Sequence, residues 1–455
     1  MPSLSRLCLF GRLRRRENTT RDTKLNRNAV DDIEQPQGQP GQAQNTPAPP
    51  SSTAAAEKHT PITLESLPAE LRHIIISLVL DIEDLKALVL ASPVFHKHYL
   101  LDRKAFLRRA LQAALGNVLV DAYAVHTSAL LRKQQQQPGH SLRQLEETTV
   151  RLCMANYVAL RSVSPDQLFA AEVAITEDDL AAMASFYCSL ARPLVEQCAA
   201  LFLRHLDAAP RRVGRLSRTE RTRLLRALYR FQLYCNLFGV GPRGYTERPP
   251  LPMSEILLFF FCVFPPWEIE EIHCIYVIIR EKYEAVFDAI RLDVARDNPA
   301  FDGWRRPDTP PGSFDLTNEY ARESLRQGTA SRGLRLFSKV IQTSDHKKLV
   351  KRMQKYMALD CIFIEPILNW TSQELRRIEH PSEEDRAEAR RERLPFLGDK
   401  EDGPPLAWVI LWRGKYINEF GDVIDYRFKE WGYVFWDCKR LNESGCKNDL
   451  RVRPT

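Results

Sequence analysis

The chain has 455 residues, 44% of them hydrophobic and 27% charged, with a formal net charge of +7. That apolar content excludes collagen-like, mucin-like and wholly disordered classes, and the length allows about two to four domains. The charge is uneven: residues 1–30 carry +6 and residues 211–230 carry +7, so the other 405 residues sum to −6. A mildly acidic globule with two basic segments gives no general argument for a nucleic-acid partner.

Residues 1–60 read as a disordered basic and Pro/Gln-rich tail. Between Asp31 and Ser52 the chain repeats Gln, Pro and Gly with almost no large apolar residue, so burial cannot offset the entropy of ordering it. Arg12 with Arg14–Arg16 resembles a weak nuclear-import patch, and the acid-poor start with Leu4, Leu7 and Phe10 leaves organelle targeting open. Plain disorder is the preferred reading. Arg6 interrupts the first apolar run and no small-residue cleavage site follows, so a secretory signal is not expected. No run reaches 18 apolar residues, and the greasiest, Ile256 to Phe264, is half the length of a bilayer span. Ten cysteines without regular spacing read as reduced thiols of a cytoplasmic or nuclear protein.

Helical periodicity begins at Pro61. Leu71, Ile74, Ile75, Leu78 and Val79 follow the i, i+3, i+4, i+7, i+8 pattern, which predicts a helix with one apolar face. Pro68 suits its first turn, and Glu70 suits the positive end of the helix dipole. A second helix fits Glu83 to Leu90, with Leu85, Leu88 and Val89 apolar. Pro93 interrupts it, and a third starts near Val94 with Phe95, Tyr99 and Leu100. These make a three-helix segment over 61–105.

Residues 106–380 read as a large helical body. Ser141 with Gln144, Thr176 with Asp179, and Ser217 with Glu220 are capping-box starts or their Asp variant. Gln134–Gln137 with Pro138 and Gly139 is a loop. On a helix from Arg218, the core face is Leu224, Leu228, Phe231, Cys235 and Phe238, and Gly239 sits where a helix stops. Arg223, Arg226 and Arg230 then project from the opposite side. A solvated face is expected there, since no aromatic ladder accompanies the cluster. Ile272, Tyr276, Ile279, Tyr283, Val286 and Ile290 alternate spacings of four and three, as in an amphipathic bundle helix or a short coiled-coil seam.

Residues 295–318 read as a long loop and 381–403 as a charged one. The last stretch, 404–455, holds four of the seven tryptophans. Its β-prone runs Trp408–Trp412 and Gly432–Trp436 predict a small aromatic-rich α+β part packed on the body, with core packing preferred over a ligand surface. The fold class is therefore mainly α.

Chemical motifs are sparse. GxxxxGK[ST] does not occur, the GxGxxG string at 239–244 follows a helical pattern where a dinucleotide site needs a strand, and no GxSxG elbow or kinase signature is present. Cys438 with Cys446, His96 with His98, and Cys262 with His273 and Cys274 lack the two close ligand pairs of a zinc site. No cofactor, metal or catalytic residue is expected.

Residues 67–105, LPAELRHIIISLVLDIEDLKALVLASPVFHKHYLLDRKA, resemble an F-box. The likeness rests on Leu67, Pro68, Glu70, Leu71, Ile75, Leu78, Asp84, Leu85, Leu88, Ser92 and Phe95; Phe95 stands where the family usually has Trp. ASPVFHKHYLLDRKA, LSRTERTRLLRALYRFQLYCNLFG, PPWEIEEIHCIYVIIREKY and WGYVFWD extend the resemblance to F-box-domain proteins of filamentous fungi over most of the chain after residue 61. The resemblance implies an adaptor role in an SCF-type cullin ubiquitin ligase. The Skp adaptor would be bound by Leu67, Pro68, Leu71, Ile75, Leu78 and Leu85, and a protein substrate by the body, with no nucleic-acid or membrane partner. The alternatives are an F-box-fold interaction protein not coupled to ubiquitination, or an enzyme or ligand-binding protein.

Overall fold

The computed structural model describes residues 63–134, 145–163, 175–204, 215–240, 251–295, 298, 315–359, 386, 390–416 and 424–450. The tail, the Ser141–Gln144 cap and much of the two long loops lie outside the described residues. Among the described residues the regular structure is helical and no strand forms. The mainly α expectation holds.

Three short helices open the fold: α1 (Ala69–Leu78), α2 (Ile82–Ala91) and α3 (Pro93–Leu101). Their ends follow local chemistry. Pro68 is the N-cap of α1, where its missing N–H costs nothing. The Asp81 carboxylate accepts from the Glu83 amide at 2.8 Å to start α2. Ser92 caps α3 by accepting from the Phe95 amide at 3.3 Å, with Pro93 in the first turn.

α4 (Arg103–Leu115) follows at once, so the segment boundary read at 105 falls inside a helix. After a short turn comes α5 (Leu119–Gln134). By length and composition the stretch Arg103–Gln134 could cross a membrane. Here Leu107, Leu111, Leu115 and Leu119 are buried in the core, and the backbone turns at Gly116. α6 (Glu147–Arg161), α7 (Glu177–Phe186) and α8 (Arg192–Arg204) come next, the last two joined by a π turn over Tyr187–Ala191.

The centre of the molecule is α9 (Arg218–Phe238), packed against α5 and against α11 (Pro266–Ile290). The short α10 (Met253–Phe259) lies between them in sequence. The capping boxes at Thr176 and Ser217 both form. Leu224, Leu228, Phe231, Cys235 and Phe238 are buried, as are all six apolar residues picked out on α11. Gly239 ends α9 where a Cβ would stand 2.3 Å from the Ser331 carbonyl oxygen, so only glycine fits the approach.

α12 (Glu319–Ala330), α13 (Leu334–Ile341) and α14 (His346–Tyr356) complete the body. The described residues of the C-terminal part form helices and turns with no strand, where the sequence suggested α+β. Trp408–Leu411 lies on α15 (Leu406–Leu411), started after Pro405, with Trp412 as its C-cap, and the two tryptophans stack at the i, i+4 spacing of a helix. Gly432–Trp436 contains a 3-10 turn, because Gly432 adopts φ +63° and breaks any extended run. Tertiary packing outweighs β propensity here. α16 (Tyr426–Glu430), α17 (Cys438–Ser444) and α18 (Cys446–Asp449) finish the chain. Trp408 and Trp436 are fully buried, and Trp408 meets Trp267 of α11 edge-on at 5.4 Å. The aromatic cluster is core, as expected.

Candidate functional site

Two features stand out: an apolar face turned to solvent, and a buried network of charge. On α1 much of the apolar stripe faces water. Leu71 is 45% exposed, Ile74 50% and Leu78 73%, while the residue that α1 fully buries is Ile76. Ile75 and Val79, at the edge of the stripe, pack against the core. The neighbouring elements add exposed Leu64, Leu80, Leu90, Leu100 and Leu101. Scattered surface leucines need no explanation, but eight large aliphatics on one segment of forty residues do.

The six residues assigned to adaptor binding separate into two groups. Pro68, Leu71 and Leu78 are exposed, and Leu67 and Ile75 are half-buried. Leu85 is 3% exposed and sits in the core with Ile82 and Val89. Leu85 is therefore a packing residue that holds α2 to its neighbours, which corrects its assignment. The spacing explains it: Ile82, Leu85 and Val89 form the i, i+3, i+7 stripe of α2. Leu90 lies off that stripe. An aliphatic next to, but outside, the buried stripe was the signal for a second apolar face, and it was missed.

The face is held rigidly. Arg72 donates to the Glu65 carbonyl at 3.1 Å, and the Ser92 hydroxyl donates to the Glu65 carboxylate, which pins the turn before α1 to α3. His73 and Tyr99 pack on Phe106 of α4, with ring centroids at 5.1 and 6.0 Å. Asp81 meets Arg192 of α8 at 3.3 Å, and Arg103 pairs with Glu177 of α7.

The second feature overturns an expectation. Arg223, Arg226 and Arg230 are buried, with Arg223 at 0% exposure, and do not form a solvated face. Each is paired. Arg230 donates to Asp121 of α5 at 3.0 Å and to Glu268 of α11 at 2.6 Å. Arg226 grips Glu271 in a two-point contact, lies 3.0 Å from Glu268, and donates to the Glu401 carbonyl at 2.8 Å. Arg223 reaches Asp437 at 2.8 Å. The Tyr157 hydroxyl donates to Asp121, closing the network from α6. Burial alone would push the Glu268 carboxyl up, but Arg226, Arg230 and Arg161 outweigh it and hold it at about 2. Arg226 and Arg230 are in turn kept charged by the neighbouring carboxylates against the cost of burial.

A neighbouring cluster ties the C-terminal part to α11. Tyr433 donates to Glu270 at 2.9 Å and accepts from the Trp412 indole at 2.9 Å, and Lys429 stands 3.1 Å from His273. Burial raises the Glu270 carboxyl, yet Lys429, His273 and Tyr433 bring it to about 2. Burial and the Lys429 charge push His273 down to about 4.

These carboxylates are fully engaged with cations and hydroxyls, so they have the character of a structural network. Among the described residues no group of three or more His, Cys, Asp and Glu is placed to hold a metal ion. The described cysteines are free thiols, and burial raises Cys198 to about 12, far from thiolate reactivity. Comparison of the chain with family models, with curated proteins and with solved structures finds no match. The functional reading therefore rests on the residues of this chain.

Proposed function

We propose that the chain is the substrate-receptor subunit of an SCF-type cullin ubiquitin ligase, docking on the Skp adaptor through α1–α3 and holding a protein substrate on its helical body. One observation carries the reading: the aliphatic row Leu71, Ile74 and Leu78 faces solvent on a segment whose sequence resembles an F-box. A folded chain gains by burying such a row, and an amphipathic helix laid into a partner's groove is a common way to do so. Covering four or five of these side chains would contribute on the order of 5–10 kcal/mol before the costs of association. In this reading Pro68, Leu71 and Leu78 touch the adaptor, Leu67 and Ile75 line the edge, and Leu85 shapes the face from beneath. The chain supplies binding, and ubiquitin transfer belongs to other subunits.

The test is affinity purification of the full chain from its native host with the proteasome blocked, beside a Leu71→Asp, Leu78→Asp variant. Wild type is expected to bring down the adaptor and a cullin, and the variant neither. Recovery of neither by wild type would overturn the reading. Recovery of the adaptor without a cullin would make the chain an F-box-fold interaction protein outside the ligase.

A further inference from the structure

A cleft of about 940 Å3 opens between α5, α7, α9, α13 and α14, away from the elements of the docking face. Its size suits a small molecule. Its lining is one-sided in charge. Arg132, Lys133, Arg332, Arg335 and Lys355 border it with His126, and no Asp or Glu among the described residues lines it. The interior is apolar and aromatic, with Met183, Phe186 and Tyr229 on the wall.

The polar groups at the base are already satisfied. Gln232 bonds Asn236 and the Leu334 amide, both at 2.8 Å, and Asn236 also donates to the Val125 carbonyl at 3.1 Å. Arg132 is spent on backbone carbonyls at the end of α9, including those of Cys235, Gly239 and Val240. Carbonyl dipoles hold a guanidinium in place but leave its net charge uncancelled, so Arg132 contributes a fixed positive potential. His126 is engaged by Asp179 at 2.7 Å. At the rim the situation differs. Lys133, Arg335 and Lys355 are exposed; the ring of Phe186 lies under Arg335 at 5.8 Å, and that of Tyr356 under Lys355 at 5.4 Å. No carboxylate of the described residues forms an ion pair with any of these three. Tyr229, 1% exposed, has a hydroxyl with no hydrogen-bond partner. A ligand acceptor would relieve the cost of leaving that buried hydroxyl unsatisfied.

We infer that this cleft binds a small organic anion, a phosphate or carboxylate group joined to a flat apolar body. The anionic group is held at the rim by Arg335, Lys355 and Lys133. The body lies against Phe186 and Met183. Focusing of positive potential in a cleft with apolar walls favours such a ligand over either an inorganic anion or a neutral aromatic.

The experiment is calorimetric titration of the full chain with phenyl phosphate, inorganic phosphate and phenol at one ionic strength. Phenyl phosphate is expected to bind saturably at one site, at least about tenfold tighter than either of the others. Arg335→Glu with Lys355→Glu, both surface changes, should weaken it by about tenfold or more without altering the thermal melt. Phe186→Ala should weaken phenyl phosphate and leave inorganic phosphate unchanged. Absence of saturable phenyl phosphate binding, or equal binding by the charge-reversed chain, would overturn the inference. Tight binding of inorganic phosphate with no gain from the ring would overturn the assignment of an apolar body. Since Leu71 and Leu78 are untouched, adaptor binding is expected to be the same in all these variants.

Discussion

At the scale of single residues, the arginines of α9 decide how the body is held together. Arg230 lies between Asp121 and Glu268 with almost no exposure. Replacing it with alanine leaves two buried carboxylates short of a partner, so Arg230→Ala is expected to cost about 3–5 kcal/mol in denaturant unfolding. Arg218, whose side chain is 81% exposed beside Glu401, should change stability by no more than about 0.5 kcal/mol when truncated. The pairing was partly legible in the sequence. Arg223, Arg226 and Arg230 are spaced three and four apart, and Glu268 and Glu271 three apart on the helix that packs on them, so each set forms a stripe. Two complementary stripes on two core helices signal a buried network. Without knowing that α9 is packed on both sides, the Arg stripe reads as an outer face.

The same residues set the response to pH. His273 is held near 4 against an ordinary 6.5, so between those values the unfolded chain binds the proton and the native one does not. That contribution is complete above about pH 6.5 and is lost as pH falls toward 4. Glu268 and Glu270 sit near 2 against an ordinary 4.5, so their contribution is lost as pH falls from 4.5 toward 2. Thermal melts should therefore drop progressively below pH 6.5 and steepen below 4.5. Glu281 works in the opposite direction. Burial and the neighbouring Glu430 raise it to about 7 against an ordinary 4.5, so its cost grows as pH rises through that window and stays constant above it. Glu281→Gln is expected to raise the melting temperature at pH 8 and leave it unchanged at pH 4; an equal shift at both would contradict the assignment.

At the scale of elements, α1 and α2 are two-sided. Each buries a narrow stripe, and α1 shows Leu71, Ile74 and Leu78, and α2 shows Leu90, to water. Helix existence and several starts and stops were legible, because Pro68, Thr176, Ser217 and Gly239 mark ends by local chemistry that no packing alters. Direction was not. The stripe on α1 was read only as one shared apolar face, and the structure divides it, turning Leu71, Ile74 and Leu78 outward while Ile75 and Val79 pack against the core and Ile76 is buried. Periodicity shows which residues share a face but not which neighbour covers it. The helical state of Trp408–Trp412 and the turn at Gly432 were missed because aromatic content was weighed above the Pro405 start and the glycine break. The division on α2 and α1 is testable by stability alone. Leu85→Asp buries an unpaired charge and should cost about 3–5 kcal/mol, whereas Leu78→Asp should stay within about 0.5 kcal/mol of wild type.

At the scale of the whole molecule, one hydrophobic core runs from Ile76 to Leu450. The C-terminal part closes it by charge as well as by aromatic burial. Glu220, at the start of α9, accepts from Arg440 at 2.7 Å and from the Asp437 amide at 3.2 Å. Deleting residues 404–455 would strip Arg223 of Asp437, Glu270 of Lys429 and Tyr433, and Trp267 of Trp408. The truncated chain is expected to lose cooperative unfolding, as followed by near-UV circular dichroism during a thermal melt; retention of a sharp transition would show the body to be independent.

The proposed docking turns on Leu71, Ile74 and Leu78, which face water on α1. The most direct measurement is titration of the purified full chain with the purified Skp adaptor. Saturable one-to-one binding is expected, weakened by at least about a hundredfold in the Leu71→Asp, Leu78→Asp variant, with an unchanged melt. Binding by the variant equal to that of wild type, or no binding by wild type, would contradict it.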